Sequence, residues 1–288
     1  MATPTDVTAF FDSATNTLSY LVADTASGIA AVIDPVLDYD PHSGRTSTES
    51  VDTILSTVQR RKLTIAWVLE THVHADHLTA AMQIKAASGA SIGIGARILG
   101  VQDHFGRLFN TSSEIAPGGK DFDRLIADGD TLTIGGLTLK AMATPGHTPA
   151  CTTYVVGDAA FVGDTIFMPD YGTARCDFPG GDAATLFRSI RKILALPEDT
   201  RIFVGHDYPP EGRDVQWHAT VGAQRRNNVH VREGVTEAEF VAMRTARDKT
   251  LKLPTLLLPS VQFNLRAGRL PTPESNGVSY LKIPLNRV

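Results

Sequence analysis

In Thr71-His72-Val73-His74-Ala75-Asp76-His77, three imidazoles and a carboxylate fall within six positions, directly after the apolar run Trp67-Val68-Leu69. Neutral imidazole nitrogen and carboxylate oxygen suit zinc, iron and manganese, and a turn at a strand end can aim several such ligands at one point. Packing does not account for this density of ionisable groups; the competing reading is a solvated His-rich turn. Three more candidates occupy the same kind of position. His147 in Thr144-Pro145-Gly146-His147-Thr148 follows Leu139 to Ala143, Asp164 follows Phe161-Val162-Gly163, and His206 follows Ile202-Phe203-Val204-Gly205. A glycine precedes each, as tight backbone turns require. Ligands of α/β sheets gather beyond the carboxyl ends of strands, so four loops can meet in one cleft although more than 130 residues separate the first from the last.

The elements that must position these loops follow from hydrophobic periodicity. Leu18 to Ala23 and Ile29 to Ile33, separated by Thr25-Ala26-Ser27-Gly28, read as a hairpin. Val51, Ile54, Leu55 and Val58 recur at helical spacing before the strand Ile65 to Leu69. A second helix (about Thr79 to Ala87) and a strand at Ile92 to Ile94 follow; the stretch to Lys120, with its Gly, Asn and Ser, reads as irregular, either covering a site or connecting elements. The same grammar then repeats. Strands fall at Thr131 to Ile134, Leu137 to Ala143, Thr152 to Val156 and Ala160 to Val162, then a helix near Ala183 to Leu194 and a strand at Ile202 to Val204. Two similar halves suggest two facing sheets with helices outside. Beyond Arg213, helices are expected at about Val215 to Asn227 and Thr236 to Thr250, then a Pro-punctuated tail.

Composition bounds the alternatives. The chain has 288 residues, 42% hydrophobic and 20% charged, with a net charge of −4, which argues against a general nucleic-acid binder. No apolar stretch approaches the ~20 residues of a membrane helix. No Lys or Arg precedes Arg45, and two cysteines make no disulfide framework, so a cytoplasmic protein with free thiols is expected. Residues 213–288 hold 12 basic and 6 acidic side chains, against 15 and 25 in residues 1–212. This basic region is either a solvated helical face or a wall for a small carboxylate ligand. With no sharp composition break, it is expected as a helical extension packed on one body spanning residues 6–288.

The pattern His72-x-His74-x-Asp76-His77, followed by His147, Asp164 and His206, resembles the metallo-β-lactamase superfamily over about residues 10–210. That resemblance implies an αβ/βα sandwich, two mixed β-sheets between helical layers, with the metal at one edge. Thr144 to Thr148, Phe161 to Thr165, Arg175-Cys176-Asp177-Phe178, Gly205-His206-Asp207-Tyr208, Leu253-Pro254 and Asn264 are similar to the persulfide dioxygenase branch, which is related to glyoxalase II. The animal form of that branch has Thr where Cys176 stands, so no catalytic duty is expected of Cys176.

The branch implies one non-haem Fe(II) per chain on His72, His147 and Asp164, with His74, Asp76, His77 and His206 orienting that set and tuning the metal. It also implies glutathione persulfide and dioxygen as reactants, with sulfite and glutathione as products. A binuclear zinc thioester hydrolase using all seven ligands and a non-catalytic sensor are the alternatives. Arg175, Arg225, Arg226, Arg244 and Lys249, with Arg213, are expected to grip substrate carboxylates, Arg175 having an ion pair with Asp177 as its other reading. His42, His104, His218 and His230 are expected at the surface or in packing, and Asp34 and Asp38 in turn chemistry beside Pro35. Assembly as a homodimer is left open.

Overall fold

A computed structural model describes residues 4–287. The first half contains β1 (Asp6–Asp12), β2 (Thr17–Asp24), β3 (Ile29–Ile33), β4 (Val36–Asp40), β5 (Arg45–Ser47), α1 (Glu49–Arg60), β6 (Thr64–Glu70), β7 (Leu78–Thr79), α2 (Ala81–Ser88), β8 (Ser91–Gly95), α3 (Ile98–Leu108) and β9 (Arg124–Ile126). The second half contains β10 (Thr131–Ile134), β11 (Leu137–Ala143), β12 (Thr152–Val156), β13 (Ala159–Phe161), α4 (Ala183–Ile193), β14 (Arg201–Phe203), β15 (His218–Thr220), α5 (Val221–Asn227), α6 (Glu237–Asp248) and α7 (Leu257–Asn264).

Two six-stranded sheets result, in the orders β1-β2-β3-β6-β8-β9 and β10-β11-β12-β13-β14-β15, both mixed, with a small β5-β4-β7 sheet beside them. The period-2 alternation of side chains builds the layers. Leu18, Tyr20 and Val22 of β2, with Ile33 and Leu69, face a core shared with Leu139, Tyr154 and Phe161 of the second sheet. Leu21 and Ala23, with Val32 and Val68, face a second core filled from α1, α2, α3 and α7. Leu186 and Ile190 of α4 and Phe240 of α6 cover the second sheet. This is the expected αβ/βα sandwich. No helix among the described residues is long and apolar enough to cross a membrane.

Several elements differ from the sequence reading. The stretch read as irregular after β8 contains α3, because Ile98, Val101 and Phe105 bury one face of a helix that Gly100 and Gly106 had disguised as a loop. The helix expected from Val215 starts only at Val221: residues His218 to Thr220 pair with β14 as an edge strand, and Thr220 caps α5 by accepting from the Ala223 amide at 3.1 Å. The Pro-punctuated tail contains α7, whose Pro259 sits in the first turn, where the missing N–H breaks no helical bond. β1, unmarked by strong alternation, completes the first sheet against β2.

Parallel pairing aligns the strand ends that carry the loops. β3, β6, β8 and β9 run parallel, and so do β13 and β14. Cross-sheet hydrogen bonds close the same edge: Leu18 N–H to Gly205 O at 2.9 Å, Thr152 N–H to Thr71 O at 2.9 Å, and Tyr154 O–H to Glu70 O at 2.9 Å.

Gly146, just before His147, has φ +139 and packs so closely on the start of α4 that a Cβ there would overlap the Leu186 backbone. Gly146→Ala is expected to destabilise the fold by about 3 kcal/mol or more, because neither the backbone angle nor the helix can yield cheaply. Denaturant unfolding checks this; a midpoint equal to the parent's would show that α4 can move away.

Candidate metal centre

His72, His74, Asp76 and His77 leave the carboxyl end of β6; His147, Asp164 and His206 leave the ends of β11, β13 and β14. The fold brings all seven together in two sets. His72, His147 and Asp164 offer one atom each within 4.8 Å of one another, and His74, Asp76, His77 and His206 do the same. Asp164 joins the sets: its Oδ2 lies 3.8 Å from His147 Nε2 and its Oδ1 lies 3.3 Å from His206 Nε2. His206 Nε2 is also 3.1 Å from Asp76 Oδ2.

Five of the residues are at most 5% exposed, and His72 Nε2, His74 Nδ1, Asp76 Oδ2, His77 Nε2, Asp164 Oδ1 and His206 Nε2 are buried with no hydrogen-bonding partner among the described residues. Buried polar atoms ordinarily have partners. So many orphans aimed at one place fit a bound cation, for which these nitrogens and oxygens are suitable ligands.

The surroundings set which nitrogen faces that place. Thr71 Oγ1 donates to Asp34 Oδ2 at 2.8 Å and lies 3.0 Å from His72 Nδ1. With its proton engaged by Asp34, the hydroxyl accepts from His72 Nδ1–H, which leaves the His72 Nε2 lone pair free. Gly163 lets Thr71 approach, since a Cβ at its φ of +49 would meet the hydroxyl. His147 Nδ1 donates to Arg175 O at 2.7 Å, freeing Nε2 in the same way. His206 Nδ1 donates to Asn16 O at 3.2 Å.

Charge follows this geometry. Burial pushes the His72 pKa well below the usual imidazole range, and the neighbouring His74 and His147 add to it, so His72 is neutral. Burial also opposes charge on His74, but Asp34, 3.0 Å from its Nε2, and Glu70, at 3.5 Å, raise its pKa well above the ordinary value. Burial resists ionisation of Asp76, yet His206 and His77 hold its carboxyl well below the usual range.

Asp34 and Glu70 went unrecognised in the sequence. Asp34, assigned there to turn chemistry, is 2% exposed and accepts from the Thr71 amide at 2.7 Å as well as from its hydroxyl. Its place after β3 repeats the strand-end position of the other candidates, which was the available signal. Glu70 accepts from the Thr79 hydroxyl beneath the same loop. Asn264 of α7 fixes that loop by donating to His74 O at 2.9 Å and His77 O at 2.8 Å while accepting from the Thr79 amide at 2.8 Å.

A cleft opens over the first set, lined by Asp76, His147, Asp164, aromatic side chains and three arginines. Arg175 borders it with its guanidinium already bonded to Asp177 at 2.6 and 2.7 Å and to Lys252 O at 2.6 Å. Arg244 borders it too, but is 1% exposed and engaged by Asp248 and Thr173 O. Other basic residues expected at a substrate are elsewhere. Arg225 donates to Leu194 O, Arg226 pairs with Glu198, and Arg213 grips Asp207; Lys249, exposed past the end of α6, is not in the lining. Arg225 and Arg226 turn away because α5 begins late and lays them on the α4 end and the loop after it. Arg247, which was not among the residues expected there, does line the cleft.

His42 and His104 are exposed, His218 stacks on Phe203, and His230 accepts from the Thr173 amide at 3.1 Å, its pKa lowered to about 4 by burial and by Arg244 and Arg247. Asp38 accepts from Ser50 at the start of α1.

The metallo-β-lactamase superfamily model matches residues 13–206, and the chain belongs to that superfamily. It is 59% identical over 292 residues to a probable metallo-hydrolase of Burkholderia pseudomallei, covering 98% of this chain and 99% of that one. Glyoxylase B2 of Dictyostelium discoideum is 47% identical over 270 residues, 92% of each chain. The mitochondrial persulfide dioxygenase ETHE1 of Homo sapiens is 32% identical over 201 residues, 69% of this chain and 66% of that one. Among solved structures, ETHE1 from Myxococcus xanthus superposes with a TM-score of 0.73 at 29% identity, over 92% of this chain and 100% of the other.

Thr71→Val keeps the side-chain shape but removes the link between Asp34 and His72. It is expected to weaken metal retention about 10- to 100-fold, read by competition with a chelator; unchanged retention would remove Thr71 from the site. The two cysteines, Cys151 and Cys176, are buried and free. Burial pushes each thiol up to about 12, Asp248 adding to the effect at Cys176. Both thiols then stay protonated at pH 8, so iodoacetamide is expected to label neither site in the native protein and both after denaturation. Rapid native labelling would contradict that environment.

Proposed function

We propose that this protein is a persulfide dioxygenase, converting glutathione persulfide, dioxygen and water to sulfite, glutathione and two protons at one non-haem iron per chain held by His72, His147 and Asp164. The outer sulfur loses four electrons and one dioxygen accepts them, so no further oxidant is needed. The observation that carries this reading is a two-histidine, one-carboxylate set of which two members, His147 and Asp164, line the open cleft, whereas of the other set only Asp76 does. Such a set leaves coordination positions for two reactants. Likeness to the ETHE1 proteins over most of the chain supports the same reading.

Iron bound there would supply a Lewis acid that takes a soft sulfur anion and exchanges electrons with dioxygen. The chain's own groups do the rest. Thr71 and Arg175 O hold the Nδ1 protons of His72 and His147, keeping both Nε2 atoms available. Asp177 and Lys252 O anchor Arg175, and so the carbonyl that orients His147. Phe167 and Phe178 line the cleft and exclude water from the reacting sulfur. His206, itself 3.1 Å from Asp76 Oδ2, lies against Asp164 Oδ1 at 3.3 Å, limiting how that carboxylate turns.

A binuclear zinc thioester hydrolase of the glyoxalase II type is the second reading. The specific observation in its favour is that His74, Asp76, His77 and His206 form a set of their own, with Asp164 reaching both sets. Likeness to glyoxylase B2 and to a probable metallo-hydrolase agrees with it.

An oxygen electrode separates the two. Iron-loaded protein is expected to consume one dioxygen per glutathione persulfide and to release sulfite in equal amount. Rapid hydrolysis of a glutathione thioester without persulfide-dependent oxygen uptake would transfer the assignment to the second reading.

A further inference from the structure

A second, smaller cavity lies on the α3 and α7 side of His147. Val73 of the loop after β6, Val101 and Phe105 of α3 and Val261 of α7 supply much of its apolar wall, and its polar side chains are His147 and Thr148. Its volume is about 20 Å³. Ala75, His147 and Phe178 line the metal cleft as well, so these three side chains form the partition between the two spaces. The Phe178 ring stands nearly perpendicular to the His147 ring with centres 5.3 Å apart, and the Arg175 guanidinium, a cleft residue, sits 5.4 Å from the Phe178 centre.

Both polar side chains are already engaged. His147 Nδ1 donates to Arg175 O at 2.7 Å, leaving Nε2 for the set with His72 and Asp164. Thr148 Oγ1 is bonded to Cys151 Sγ at 3.1 Å and accepts from the Ala150 amide at 3.3 Å. A buried water takes several polar partners, so water gains little in this cavity; apolar cavities of this kind stay dry and still admit small apolar molecules. A persulfide anion or a peptide group would lose its hydration there with nothing in exchange. A space of about 20 Å³ also limits the guest to about one or two heavy atoms.

We propose that this cavity is a dioxygen site, which holds the diatomic beside His147 and passes it between Ala75 and Phe178 into the cleft that the thiol substrate occupies; its use in catalysis rests on the persulfide dioxygenase reading. Dioxygen is small, apolar and needs no hydrogen bond, which is what the lining offers. A separate space lets it wait next to the metal set while the larger reactant fills the cleft, and holding both beside one group raises their local concentration. Val101 and Val261 thereby serve the dioxygen step from helices that carry no candidate ligand.

Dissolved dioxygen is paramagnetic and speeds the nuclear relaxation of the groups it visits, so the site can be read without turnover in zinc-loaded protein free of substrate. Under dioxygen pressure, the methyl groups of Val73, Val101 and Val261 are expected to show a larger relaxation enhancement than those of Val51 and Val58 of α1, which are buried in the same core. Val101→Leu, which pushes one more methylene into the cavity, should bring Val73 and Val261 down to the level of the α1 valines. Equal enhancement at all five valines of the parent would overturn the site whatever reaction the protein performs. Selective enhancement in a protein whose iron form shows no persulfide-dependent oxygen uptake would leave the site standing and remove the reaction assignment instead.

Iron-loaded protein supplies the second readout. In Val101→Leu the KM for dioxygen is expected to rise about fourfold, the scale of one small apolar group leaving its pocket, while the KM for glutathione persulfide stays at the parent's value. Val261→Leu, entering the cavity from the other helix, should do the same. An equal rise in both KM values would mark a general disturbance of the cleft, and no rise in either would show that dioxygen takes another route; each of these results would overturn the proposal.

Discussion

Burying imidazoles and carboxylates at the closed edge of two sheets removes water that each would otherwise bind, at an effective penalty of several kcal/mol for every ion. The protein's own contacts offset only part of it. The Nδ1 atoms of His72, His147 and His206 find oxygens, whereas the Nε2 atoms of His72 and His206 stay bare, as does one oxygen of Asp164. A bound cation completes this arrangement, and much of the surrounding structure keeps the bare atoms converging. The cross-sheet bonds at Leu18, Thr152 and Tyr154 hold the strand ends in place, and Asn264 reaches back from α7 to fasten the loop that carries four of the seven side chains.

Beneath the candidate ligands lies a layer with its own electrostatic logic. Asp34 serves two histidines at once, directly at His74 and through Thr71 at His72. One buried carboxylate therefore links the two sets from below, as Asp164 links them from above. Metal affinity and reactivity depend on such outer partners nearly as much as on the ligands. A chain with all seven candidate residues can thus differ in chemistry from another that carries the same seven, and the motif alone does not fix the reaction.

Much of the site was legible because its residues are improbable as packing. Three histidines and an aspartate after a strand need a reason, and His147, Asp164 and His206 repeat the position. The facing sheets were legible from alternation in β2, β3 and β6. Less visible were features whose meaning comes from tertiary contact. Asp34 looks like any acid beside a proline until its carboxylate is seen under Thr71. α3 hides behind two glycines and α7 behind Pro259, since only burial shows that those faces are helical. The basic tail was read as a group, but the fold divides it residue by residue: Arg226 pairs with Glu198 at the surface, Arg244 is sealed against Asp248, and Arg247 alone of the α6 arginines reaches the cleft unpaired. Charge counting cannot make that division, because it depends on where α5 begins and which side of α6 faces the cleft.

The proposed chemistry requires that His72, His147 and Asp164 hold a single redox-active metal. Iron X-ray absorption on protein purified without added metal, combined with elemental analysis of the same sample, tests this most directly. The expected result is one iron per chain, coordinated by two imidazoles and a carboxylate with light-atom ligands completing the shell. Two zinc ions per active chain, or a metal–metal distance in the scattering, would contradict it.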